Sequence, residues 1–309
     1  MLRYIVRRLL QMVLAFLGTT LIVYFLMFQA STDPIQALAG EKPVTEAVRA
    51  KLTREYHLDE PFFVRYWYYI KGLLTGDLGD SLSGRPIGEI IAGAYPTTIR
   101  LAAIAFIFVV ILGIGAGVIA GIRRGGIFDN ATLLLTLVVI GIPSFVLGLV
   151  LQLYSGIKWE IFPVTYQEDR DGLYGLILPG FVLGALALAT AVRLTRTSVA
   201  ENLRSDYVRT AKAKGLSRNR VIGVHVLRNS LIPIITFLGI EIGNLMGGAI
   251  ITEGIFNVQG IGFQLKKAID LEDGPMVVSI VSLLVIVYLL ANLVVDILYA
   301  VLDPRIRYE

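Results

Sequence analysis

The sequence predicts an all-α membrane protein with six transmembrane helices and with both termini in the cytoplasm. Of its 309 residues, 55% are hydrophobic and only 17% are charged, whereas soluble domains carry about 25% charged residues. The mean hydropathy is +0.71. Apolar runs of about 20 residues, the length at which a helix crosses the hydrocarbon core, recur along the chain. These runs are too long and too uniformly apolar for the strands of a membrane barrel, so helices are the predicted spanning elements.

Six apolar runs define the predicted spans, which lie at about 9–28, 97–121, 131–155, 173–194, 231–252 and 277–300. The first run is longer than the apolar core of a cleaved signal peptide, about 7–15 residues, and no small-residue cleavage site closes it. We therefore expect a retained first span. The predicted organisation is a tail and first span (1–28), an extracytoplasmic segment (29–96), a five-span core (97–300) with a cytoplasmic loop (195–230), and a cytoplasmic tail (301–309).

The extracytoplasmic segment combines a stretch of helical periodicity with the Gly-rich sequence "TGDLGDSLSGRP". It predicts a small helical subdomain or a helix that lies on the membrane surface. Aromatic residues cluster in "RYWYYIKGLL" at 65–74, as they do in the aromatic belts at membrane–water interfaces.

Lys and Arg residues set the expected orientation, because cytoplasmic loops carry an excess of them. They concentrate in the N-terminal tail, at Arg123 and Arg124, in the loop 195–230, and in the C-terminal tail. All four segments lie on one side when the N-terminus is placed in the cytoplasm.

The loop ends in an unusually basic stretch, "YVRTAKAKGLSRNRVIGVHVLRNSLIP" at 207–233, and no Asp or Glu lies between Tyr207 and Ile240. One interpretation is an electrostatic anchor to anionic lipids. The pattern also predicts a helix capped by Ser205 or Asp206, ended by Gly215, and followed by a second helix capped by Ser217. A helix–glycine–helix elbow of this kind is suited to docking into a partner.

This stretch resembles the cytoplasmic EAA loop of ABC importer permeases. The family pattern is Glu-Ala-Ala, three residues, then Gly; here the aligned residues are Arg209, Thr210, Ala211 and Gly215. The chain has Arg for the Glu and Thr for the first Ala, and Leu227-Arg228 in place of a Leu-Pro. These departures match the B-type permease of dipeptide and oligopeptide importers. The sequences "GGAIITEGIFNVQGIG" and "LDPRIR" also resemble that branch, although Gln259 stands where Pro is usual. The resemblance covers essentially the whole chain.

The resemblance implies a type I ABC importer permease fold in a prokaryotic plasma (inner) membrane. The chain would form half of a translocation pore for a peptide substrate within the lipid bilayer. The implied partners are a second homologous permease subunit, two ATPase subunits that bind ATP and Mg, and an extracytoplasmic peptide-binding protein; no nucleic acid and no cofactor in this chain are expected. The residues expected to couple to the ATPases are Tyr207, Arg209, Thr210, Ala211, Lys212, Ala213, Lys214, Gly215, Leu216 and Arg218.

Glu241 and Asn244 are the candidate residues of the translocation path. An ionisable side chain in a span is costly, so it indicates function or a polar partner. Asn244 lies on the same helical face. A contact with the second permease is an equal alternative. Nearby Gly243, Gly247 and Gly248 favour close helix packing. Pro143 and Pro179 are predicted to kink their spans, either as architecture or as gates.

Enzyme chemistry has little support in the sequence. It contains no Cys and only two His residues, and it has neither a phosphate-binding loop with Lys-Ser/Thr nor an HExxH motif. We therefore expect no catalytic residue, no metal site and no ATP hydrolysis in this chain. Two alternatives remain open: a same-family importer of nickel, haem, glutathione or a glycoside, and a membrane enzyme or stand-alone channel.

Overall fold

The computed structural model describes residues 2–28, 45–55, 57–81, 83–247 and 249–302. Within these ranges the regular secondary structure is helical, apart from one isolated bridge between Asp80 and Pro86. Four helices are long and apolar enough to cross a membrane, and the number rises to six if each of two bent helix pairs is one span. The all-helical membrane fold is therefore confirmed, and the six-span topology stays a prediction.

We number the main helices in chain order. They are α1 Leu2–Phe28, α2 Glu46–Glu55, α3 Phe62–Thr75, α4 Ile87–Ile122, α5 Ile127–Gly141, α6 Ser144–Lys158, α7 Tyr174–Asn202, α8 Asp206–Ala213, α9 Arg218–Ser230, α10 Ile232–Gly247, α11 Ile250–Phe256, α12 Ile261–Asp270 and α13 Gly274–Leu302. A single helical turn at Glu168–Asp171 precedes α7. Wider π turns occur within α4, α6 and α9, at Val109–Ile114, Gln152–Lys158 and Val221–Val226.

The start of the second predicted span differs most from the structure. Helix α4 begins at Ile87 rather than at 97, so 87–96 are helical and continuous with the second span. Residues 29–44 of the predicted extracytoplasmic segment (29–96) and residues 303–309 of the predicted cytoplasmic tail (301–309) lie outside the described residues.

The two prolines predicted to kink their spans act differently. Pro143 does not bend one helix but separates two, because α5 ends at Gly141 and α6 begins at Ser144 with an angle of 107° between them. Ile142 is extended, at φ −98° and ψ 126°, the conformation that a following proline favours. The prediction for Pro179 was wrong. It lies in the first turn of the regular part of α7, where proline removes no intrahelical hydrogen bond.

Helices α4 and α7 approach closely through glycines on both. A Cβ at Gly117 of α4 would lie 2.5 Å from the Thr195 Cβ and 2.7 Å from the Val192 carbonyl oxygen. Such close approach through small residues is how helices gain van der Waals contact in a membrane, where lipid is as apolar as the side chains. The same holds at four further glycines of the pair, two on each helix: Gly113, Gly121, Gly180 and Gly184.

Helix α7 is also held to α5 by a buried ion pair. The Arg196 guanidinium donates from Nε to Asp129 Oδ1 at 2.8 Å and from Nη2 to Oδ2 at 2.7 Å. Asp129 is fully buried and also accepts a hydrogen bond from the backbone N–H of Gly125. This bidentate pair fixes the start of α5 against the end of α7 that precedes the basic loop.

Helix α3 lies across α1 and α13. The Tyr66 hydroxyl donates to the Leu17 carbonyl and is 2.8 Å from the Thr20 hydroxyl, while the Tyr69 hydroxyl meets that of Ser282. This confirms a helix in the aromatic stretch at 65–74. Its opposite side exposes apolar side chains, including Phe63 and Trp67, which suits the membrane interface.

The glycine contacts give a direct test. We expect Gly117→Ala to lower the midpoint of thermal unfolding of the purified protein in detergent, because the added methyl group overlaps Thr195 and overpacking costs about 1–3 kcal/mol. Gly115→Ala is the matched control, since a Cβ there meets nothing within 4 Å. Equal midpoints for the two variants would contradict the close approach of α4 and α7.

Candidate coupling and translocation sites

The basic loop forms the helical elbow that the sequence predicts. Helix α8 buries Val208 and Ala211 against Val199 of α7 and against Val221 and Val226 of α9. Its inner face therefore belongs to the hydrophobic core of the loop. Helix α8 is thus packed against both of the helices that flank it in the chain.

Hydrogen bonds fix the entrance to α8. Ser205 stands at the N-cap position, but its hydroxyl donates to the Asn202 carbonyl at 2.6 Å rather than capping α8. The Asn202 amide donates to the Ser198 carbonyl at 2.9 Å. Ser198 and Ser230 donate their hydroxyls to each other's carbonyl oxygens at 3.0 and 3.3 Å. The C-terminal part of α7 is thus joined to the last residue of α9, which lies at the opposite end of α9 from Gly215.

Gly215 ends α8 in the left-handed conformation, at φ +76°. Its N–H donates to the Lys212 carbonyl at 2.9 Å, and the N–H of Leu216 donates to the Ala211 carbonyl at 3.3 Å. This pair of bonds is the Schellman motif. Leu216 packs on the cluster that holds Ala211, which completes the motif. A Cβ at Gly215 would meet nothing within 4 Å, so backbone conformation, not close approach, requires the glycine.

The predicted coupling residues divide into two groups. Ala211 and Leu216 face the protein, buried and half-buried. The others are exposed and form one surface: Tyr207, Arg209, Thr210, Lys212, Ala213, Lys214, Gly215 and Arg218. We call it the coupling surface. Its charge is mainly positive, and Asp206, 3.4 Å from Arg209, is the acidic residue beside it. Such a surface suits a partner with an acidic cleft.

The second candidate site is a cavity of about 430 Å³ beside the break between α5 and α6. Glu241 and Asn244 both line it, so the structure brings the predicted pair together. The Asn244 amide donates to Glu241 Oε2 at 3.3 Å. Of the neighbouring glycines, Gly243 packs against Ala291 and Tyr288 of α13, whereas Gly247 has open space around it. Gly248 lies outside the described residues.

A buried carboxylate that the sequence reasoning missed lies in α11. Glu253 is fully buried and accepts a hydrogen bond from the Thr98 hydroxyl at 2.7 Å and from the backbone N–H of Phe263 at 2.8 Å. Thr98 in turn accepts from the Ile261 N–H at 2.8 Å. Glu253 and Thr98 therefore cap the start of α12. Burial raises the pKa of Glu253 to about 6, against the opposing effect of these hydrogen bonds. Its place in "TEGIFNVQGIG", directly after an apolar span, was the available signal.

No group of three or more Asp, Glu, His or Cys side chains close enough to hold a metal ion occurs in the part of the chain that the structure describes.

Known proteins resemble this chain along its whole length. Residues 113–308 match the family model described as "Binding-protein-dependent transport system inner membrane component", and residues 1–102 match the model of its N-terminal part. The chain is 37% identical to the Dipeptide transport system permease protein DppB of Escherichia coli K12 and 36% identical to the Di/tripeptide transport system permease protein DppB of Pseudomonas aeruginosa. It is 34% identical to the Glutathione transport system permease protein GsiC of Salmonella typhimurium. Each alignment covers all of both chains.

The Schellman motif predicts an order of stability at position 215. We expect Gly215→Asn to be tolerated and Gly215→Val to destabilise the loop, because a side chain in the left-handed region costs about 1–2 kcal/mol and Asn adopts it more readily than a β-branched residue. Amide hydrogen exchange in α8 measures the effect. Equal protection in the two variants would contradict this interpretation.

The raised pKa of Glu253 predicts a pH dependence. The folded state favours the protonated form of Glu253. The contribution of this carboxyl group to the free energy of unfolding is therefore complete below about pH 4.5 and is lost as the pH rises through about 6. The midpoint of thermal unfolding of the wild type should therefore fall between pH 4.5 and 7, and Glu253→Gln should lack the part of this fall that Glu253 causes. The exposed Glu89 supplies the control variant, Glu89→Gln. A pH profile of Glu253→Gln that matches the wild type would contradict the assignment.

Proposed function

Because this chain belongs to the family of binding-protein-dependent transport system inner membrane components, we propose that it is the permease subunit of an ATP-driven importer of dipeptides and oligopeptides. The observation that carries the proposal is full-length similarity to permeases of dipeptide and di/tripeptide transport systems. The apolar helices and the solvent-facing basic elbow support it physically. The protein is a multi-pass component of a bacterial inner membrane and acts as a transport subunit rather than as an enzyme.

The assembly that we propose contains a second homologous permease, two ATPase subunits and an extracytoplasmic peptide-binding protein. ATP and Mg bind to the ATPase subunits. The orientation places both termini and the coupling surface in the cytoplasm, as the Lys and Arg distribution favours.

Coupling follows from the way α8 is held. The exposed coupling surface docks into an acidic cleft of an ATPase subunit, and closure of the ATPases displaces α8. The packing of Val208 and Ala211 and the Ser198–Ser230 hydrogen bonds transmit that displacement to α7 and α9. A rigid connection is needed because a flexible loop would absorb the motion.

The translocation path runs past the cavity that Glu241 and Asn244 line. These are polar side chains at membrane depth, which is where the substrate of a two-permease pore must cross. The second permease closes the open side of this cavity.

Glutathione is a second candidate substrate, favoured by the 34% identity to the glutathione permease. It is itself a small peptide with a free amino group, so the two proposals share their chemistry. Uptake of labelled dipeptide and of labelled glutathione by one reconstituted complex separates them.

Co-purification tests the assembly. The tagged chain, expressed with its genomic neighbours and extracted in mild detergent, should bring along a second permease and two ATPase subunits, identified by mass spectrometry. A chain that purifies alone in several detergents would overturn the importer proposal.

Substitution at the elbow tests the coupling. We expect Gly215→Arg to reduce ATP-driven peptide uptake at least tenfold at equal membrane abundance, because it both strains the end of α8 and places a bulky side chain on the coupling surface. Gly76→Arg is the matched control, since Gly76 ends α3 in the same left-handed conformation, at φ +79°, with equally open surroundings and outside the basic loop. Near-normal uptake by Gly215→Arg, or an equal loss in both variants, would contradict docking at Gly215.

A further inference from the structure

The cavity beside α5 and α6 exists because of the helix break. Residues on both sides of the break line it, including Gly141, Pro143 and Ser144. At 107°, α6 turns away from the direction of α5 and leaves a space over the faces of α7 and α10. The volume of about 430 Å³ falls within the range of about 300–1,000 Å³ that is typical of small-molecule sites.

The orientation of Glu241 is fixed by the packing of α10. Gly239 and Gly243 face α13, where a Cβ would meet Val295 at 2.8 Å and Ala291 at 3.3 Å. Glu241 lies two residues from each of these glycines, so its side chain projects about 200° around the helix axis from either of them. Glu241 therefore lies on the side opposite α13, in one stripe with Leu238 and Leu245, which pack toward α7 and α4.

Glu241 is the one charged side chain among the described residues that line this cavity. Within the described part of the chain, its Oε2 has the Asn244 amide as a hydrogen-bond donor at 3.3 Å, and its Oε1 has no donor. The other lining residues are mainly apolar, with Ser144 and Thr252 as hydroxyls. A carboxylate placed in such surroundings is stabilised by a mobile cation that enters the cavity.

We propose that Glu241 binds the positively charged α-amino group of the peptide during its passage through this cavity, and this inference rests on the proposed function. Asn244 orients the carboxylate, and the apolar walls contributed by residues such as Leu147 and Leu186 accept side chains without selecting among them. One charge contact to a group that every free peptide carries, combined with non-selective walls, suits a path for peptides of varied sequence. The contact must stay weak enough to permit release.

The test is direct binding of peptide to the purified permease–ATPase complex without the binding protein. Equilibrium dialysis would measure the dissociation constants of radiolabelled alanyl-alanine and of N-acetyl-alanyl-alanine, which lacks the ammonium group. In the wild type, we expect N-acetylation to weaken binding at least tenfold. In Glu241→Gln, we expect free alanyl-alanine to bind at least tenfold more weakly and N-acetylation to have little further effect. The exposed Glu201 supplies the control variant, Glu201→Gln, which should behave as the wild type.

Three results would overturn the inference: no measurable binding of alanyl-alanine to the wild type, no effect of N-acetylation, or the same N-acetylation effect in Glu241→Gln as in the wild type. If Glu241 instead pairs with a cation of the second permease, Glu241→Gln will reduce co-purification of that subunit and weaken the binding of both ligands equally.

ATP-driven uptake of alanyl-alanine by the wild-type complex with its binding protein is measured in parallel. If the complex takes up alanyl-alanine but N-acetylation does not weaken binding, this inference alone is overturned. If the complex takes up no peptide, the proposed function is overturned.

Discussion

The close approach of α4 and α7 is the constraint on which the rest of the structure depends. In a bilayer, two apolar helices gain nothing by leaving lipid for each other, so their contact must come from van der Waals packing at short range. Gly117 and Gly121 of α4, together with Gly180 and Gly184 of α7, remove the side chains that would hold the backbones apart. Because α7 also contacts α5, α6 and α10, its position sets theirs.

The position of α7 has consequences at the end of the helix that leads into the basic loop. Its end carries Arg196, whose bidentate bond to Asp129 orients α5, and Ser198, whose bonds to Ser230 join it to α9. Helix α8 packs on Val199 of α7 and on Val221 and Val226 of α9. A force applied to the coupling surface therefore meets a connected set of rigid elements, which is the physical requirement for a lever. Asp129 accepts two hydrogen bonds from Arg196 and one from the Gly125 N–H, so this connection has a defined geometry.

The same helix forms one wall of the cavity that contains Glu241. One end of α7 thus takes part in the proposed coupling, and its middle, at Val182, Ala185 and Leu186, takes part in the proposed translocation path. The proposed coupling and the proposed translocation path are thus connected through one continuous helix. The buried Glu253–Thr98 network ties α11 and α12 to α4.

The sequence by itself determined the membrane class, the elbow at Gly215 and the candidate carboxylate at Glu241. Each depends on local chemistry: apolar length, the need for a glycine after a helix, and the cost of a charge in a span. Only the tertiary structure decided that Pro143 separates two helices at 107° while Pro179 lies in the first turn of the regular part of α7. It also decided which of the glycines are required by packing and which carboxylates are buried. Those outcomes depend on the residues that face each position across space, and a linear pattern does not contain that information.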